Sequence, residues 1–153
     1  MTSTPTMTRT QTEDIVQQLI PFYENLTAAQ IDRFNDFYAE DAQFRDPFNH
    51  VTNLEAIKKI FRHMFVQVND PAFNVSKSII GEGDAILFWQ FHFRFRGLGN
   101  KCPQCLEGVS HLAFAPDGKV TLHRDYWDAA EELYSRLPVV GLLMRGLQRM
   151  IRA

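Results

Sequence analysis

The chain has 153 residues, a net charge of −2, 45% hydrophobic and 22% charged residues, the profile of one globular domain with a full core. The near-neutral balance argues against an electrostatic partner such as nucleic acid, and no apolar run is long enough for a membrane-spanning helix. The 13 Phe point to a wide apolar interior with room for a cavity.

Residues 1–11 read as a polar, threonine-rich tail. They lack the apolar segment of an export signal, so a cytoplasmic location is expected. Thr12 is placed to cap a helix with Ile15, Leu19, Phe22 and Leu26 on its apolar side. Pro21 predicts a kink or break in it. Thr27 to Gln30 has the form of a capping box for a second helix that buries Ile31, Phe34, Phe37 and Tyr38.

The stretch "FRDPFNH", residues 44–50, follows. On a strand Phe44 and Asp46 share a face, so an inward Phe44 takes Asp46 with it. A carboxylate set against aromatic rings loses hydration, its pKa is expected to rise, and it becomes a usable general base. The competing reading has Asp46 bonded to a neighbouring backbone amide, or paired with Arg45 at a strand end. Thr52 to Glu55 is a further capping box, opening a helix with Leu54, Ile57, Ile60, Phe61, Met64 and Phe65 on one side.

Strands are expected over residues 73–80, 87–96, 106–114 and 119–127. In the second, Trp89, Phe91, Phe93 and Phe95 alternate with Gln90, His92, Arg94 and Arg96. The polar face is either solvated or the contact of a homodimer. In the last strand Thr121, His123, Asp125 and Trp127 share a face, and His123 beside Asp125 could form an acid–base pair or a solvated pair. Cys102 and Cys105 form "CPQC" in a hairpin loop, read as plain loop, half of a zinc site or a redox pair. His50, His63 and His111 lack metal-ligand spacing, and no glycine-rich phosphate loop precedes a helix, so neither metal nor cofactor is expected. Residues 131–153 read as a helical extension, and from Pro138 the helix is amphipathic with only basic charges, Arg145, Arg149 and Arg152. It would pack on its own domain, pack on a partner subunit, or rest weakly on an anionic membrane surface.

Helices first and adjacent strands afterwards give an α+β fold with a mostly antiparallel sheet. "YAEDAQFRDPF" (Tyr38 to Phe48) and "DYWD" (Asp125 to Asp128), within residues 12–130, resemble the SnoaL-like branch of the nuclear transport factor 2-like superfamily, which includes ketosteroid isomerases and polyketide cyclases. The resemblance implies a cone-shaped, curved sheet wrapped around the N-terminal helices, with a pocket for a small hydrophobic molecule. It puts Asp46 at the position of the proton-abstracting aspartate of the isomerases. The two oxyanion donors of those enzymes fall on Phe22 and Ser110, a departure that argues against steroid isomerisation. Residues expected around the ligand are Phe22, Tyr38, Phe44, Phe61, Trp89, Phe91, Phe93, Ser110 and Trp127, with Asp46, His123 and Asp125 as catalytic candidates.

Overall fold

In the computed structural model, residues 6–96, 103–129 and 138–151 are described. Helix α1 (Arg9–Glu24) begins earlier than expected, because Thr8 rather than Thr12 closes a capping box with Gln11. Residues 9–11, expected in the tail, form its first turn, and Met7 is already buried. Thr12 lies inside the helix, where its Oγ1 accepts a hydrogen bond from Gly83 N at 3.0 Å. Pro21 sits in the last turn, so only one helical bond is lost and the helix ends at the cap Asn25 without an internal break. Thr27 makes no side-chain cap; its segment is a 3₁₀ turn (Ala28–Arg33) running into the four-residue α2 (Phe34–Phe37). Helix α3 (Leu54–Gln67) is capped by Asn53, whose side chain accepts from Ala56 N, in place of Thr52.

Strands β1 (Tyr38–Arg45), β2 (His50–Val51), β3 (Val68–Ile80), β4 (Asp84–Phe95), β5 (Gln104–Phe114) and β6 (Val120–Trp127) form one sheet in the order β2-β1-β6-β5-β4-β3. All pairs are antiparallel except β1 with β6. The sheet is curved and unclosed, with β2 and β3 at its edges. Bulges in β3, at Asn69/Ala72 and Val75/Lys77, help it bend. Helices α1 and α3 fill the concave side. Val16 and Leu19 of α1, Ile57 of α3, and Tyr38, Ala42 and Phe44 of β1 form the main core. A second core cluster, Val68, Trp89, Phe93 and Leu106, lies on the concave face of the later strands. Of the helix expected after Trp127, residues 130–137 lie outside the described residues, as does Cys102; helix α4 spans Pro138–Ile151. Among the described residues no helix is long and apolar enough to cross a membrane.

Candidate functional site

Between α1, α3 and the concave face of the sheet lies a hollow of about 730 Å³. Its walls are mainly aromatic and aliphatic: Phe44, Phe61, Phe73, Trp89, Phe91, Phe93 and Trp127 all border it. The strand alternation explains this. Residues 89, 91, 93 and 95 turn inward, and His92 and Arg94 stand exposed on the other side. Of the nine residues expected around a ligand, seven border the hollow. Phe22 does not: its ring packs on Phe34 and Phe37 at 5.2 and 4.6 Å. Tyr38 is buried behind the wall rather than in it.

One wall is polar. Register fixes it, since Phe44 of β1 and Leu112 of β5 flank His123 of β6, and Ser110 lies opposite Asp125. The side chains bond in sequence. Trp89 Nε1 donates to Ser110 Oγ at 2.9 Å, and Ser110 Oγ donates to Asp125 Oδ1 at 2.5 Å. His123 Nε2 lies 2.8 Å from the same Oδ1. On the other side of the ring, His123 Nδ1 is 2.6 Å from Tyr38 Oη, which is 2.6 Å from Tyr23 Oη. Six side chains from α1, β1, β4, β5 and β6 thus form one unbroken chain of hydrogen bonds. Among the described residues no buried side-chain nitrogen or oxygen lacks a partner.

The carboxylate sets the direction of this chain. An ionised Asp125 only accepts, so a neutral His123 carries its proton on Nε2 and its Nδ1 accepts from Tyr38. Tyr38 Oη then accepts from Tyr23. A second proton on the ring reverses that arm: Nδ1–H donates to Tyr38, Tyr38 donates to Tyr23, and the Tyr23 hydroxyl proton is released toward the hollow that it borders. Burial pushes both phenols well above their ordinary value of 10.0, and the nearby Asp125 charge adds to the effect, so both stay neutral donors. Both bonds to Asp125 fall on Oδ1, and the residue, its side chain 17% exposed, borders the hollow.

Asp46 borders the same hollow at its mouth, but its geometry is that of the turn-capping alternative. Its Oδ1 accepts from Phe48 N, Asn49 N and Asn49 Nδ2 at 2.7, 2.6 and 3.1 Å, and its Oδ2 accepts from the same Nδ2 at 3.0 Å. This closes the β1–β2 turn and holds the Phe48 ring 5.4 Å from Trp127.

Tyr23 is the site residue that sequence reasoning passed over. An amphipathic helix buries a stripe wide enough for two adjacent residues, and α1 buries both Phe22 and Tyr23. The signal was a tyrosine where the helix period calls for a core residue. Among the described residues no group of three or more His, Cys, Asp or Glu is arranged to hold a metal ion.

A profile of the SnoaL-like domain family matches residues 20–123. Known structures share the fold at low identity. A SnoaL-like polyketide cyclase, so named provisionally, from Shewanella denitrificans has a TM-score of 0.66 at 17% identity, covering 81% of this chain and 97% of its own. An LEH-like epoxide hydrolase from M. tuberculosis has a TM-score of 0.64 at 14% identity, covering 91% and 93%. AclR of Streptomyces galilaeus, described as a hydroxylase by assignment, has a TM-score of 0.66 at 15% identity, covering 95% and 99%. No curated protein sequence matches the chain. The family profile spans more than half of the chain, and the structural neighbours share its fold; the protein belongs to the SnoaL-like domain family.

Proposed function

We propose that the protein binds a small, largely apolar ring compound in the hollow and moves a proton on it without a cofactor, as an isomerase or cyclase would. The observation that carries this reading is the hydrogen-bonded chain that joins two residues bordering the hollow, the carboxylate Asp125 and the neutral phenol Tyr23. A ligand with a carbonyl beside an acidic C–H suits that pair. Asp125 takes the carbon proton, and the charge that develops on oxygen meets the Tyr23 hydroxyl. With His123 protonated, Tyr38 donates to Tyr23 and frees the Tyr23 proton for that oxygen. The enolate is then reprotonated by the carboxyl group of Asp125. Asp46, the base implied by family resemblance, is the weaker candidate, because four donor contacts hold it in its turn.

The test uses 2-tetralone, a bicyclic ketone with exchangeable α-protons, in D₂O. Proton NMR should show exchange faster than in buffer alone, and Asp125→Asn should reduce it by about 10² or more while 2-tetralone still binds. Binding without any acceleration would favour a carrier of apolar molecules over an enzyme.

A further inference from the structure

We propose that helix α4 docks in the plane of an anionic lipid membrane, with its apolar side inserted and its arginines at the headgroups. The described core domain exposes its large apolar residues singly: Phe48, Val66, Ile79 and Tyr126 are on different elements. In α4 they are concentrated. Leu142, Leu143, Leu147 and Met150 are 68, 69, 45 and 83% exposed within one helix of 14 residues. Leu143, Leu147 and Met150 are spaced by four and three, so they form one continuous stripe. Arg145 and Arg149 are each two positions beyond Leu143 and Leu147, which turns them about 200° away. The stripe of Leu143, Leu147 and Met150 therefore faces away from Arg145 and Arg149 along a rod about 21 Å long, with Leu142, seven positions before Arg149, on the arginine side.

Charge identifies the occupant. Residues 138–153 contain three arginines and no acidic residue, so this segment carries +3 while the whole chain carries −2, leaving −5 on residues 1–137. A segment of one sign attached to a domain of the other is complementary to an anionic surface. A second copy of the helix would bring the same positive charge to the contact. Flexible Leu and Met on one side and Arg on the other match helices that lie in a bilayer interface.

The experiment is co-sedimentation of the full chain with phosphatidylcholine vesicles, with or without phosphatidylglycerol, at low and high salt. The expected result is sedimentation only with the anionic vesicles, weakened by salt. Leu143→Glu with Leu147→Glu should abolish it, and Arg145→Glu with Arg149→Glu should weaken it by about ten-fold or more. Both pairs are exposed in the structure, so circular dichroism and 2-tetralone exchange should match the parent. Three results would overturn the proposal: no sedimentation with anionic vesicles, equal sedimentation with neutral ones, or a dimer in light scattering that Leu147→Glu dissociates without any vesicle binding. Failure here would leave the exchange reaction intact, so it is distinguishable from failure of the proposed chemistry.

Discussion

Asp46 and Asp125 are both carboxylates bordering one hollow, and their neighbours give them different work. Asp46 is surrounded by turn amides, so its removal leaves donors unmet and loosens the β1–β2 turn. Asp46→Ala should cost about 1–3 kcal/mol in chemical denaturation and lower 2-tetralone exchange far less than Asp125→Asn does. Gly108 supports the other carboxylate at one remove. A Cβ there would lie 2.5 Å from the Trp89 ring and 2.9 Å from Tyr126 O, so the indole can reach Ser110 only because position 108 has no side chain. Gly108→Ala should destabilise the fold by about 1–3 kcal/mol and shift tryptophan emission. Strand parity put His123 and Asp125 on one face without saying whether that face points inward, and Tyr23 was passed over because one residue along a helix turns by about 100° and period alone does not say how wide the buried stripe is.

At the scale of elements, bonds between segments tie the cone together. Thr12 anchors α1 to the β3–β4 turn through Gly83 N. Lys58 of α3 is buried, with Nζ 3.0 Å from Glu55 and 3.7 Å from Asp32, and Arg62 reaches Asp32 at 2.8 Å, fastening the 3₁₀ turn. Thr12→Val keeps the shape and deletes the acceptor, so it should cost about 1–3 kcal/mol and speed amide exchange at Gly83. Caps were the least legible feature. Thr8, Thr12, Thr27, Thr52 and Asn53 all suit a cap by residue type, and only the backbone path selects Thr8 and Asn53. The strong alternation of β4 survived intact, because a sheet covered on one face enforces it. In β6 the alternation slips: Val120 and His123 are both buried, three residues apart, around a register shift at Ala113/Phe114. Sequence parity therefore left the inward face of that strand open.

For the whole molecule, the two buried phenols link protonation to stability. Their folded-state pKa values lie above the ordinary 10.0, so the unfolded chain loses these protons first as pH rises. The stability they confer is complete below pH 10 and declines above it. The unfolding free energy should fall by about 1.4 kcal/mol per pH unit for each tyrosine, and Tyr23→Phe should halve that slope. The α+β class was readable from helices preceding strands. The parallel contact between β1 and β6 was not, because it joins the first long strand to the last and depends on curvature that no local pattern records. That contact brings Phe44 beside His123 and assembles the polar wall. The most direct test of that wall is nitrogen NMR of the histidine-labelled protein with and without 2-tetralone. The account predicts that His123, when neutral, is protonated on Nε2 with a slowly exchanging proton, and that 2-tetralone shifts its resonances. A proton on Nδ1 of the neutral ring, or His123 signals unmoved at saturating 2-tetralone, would contradict it.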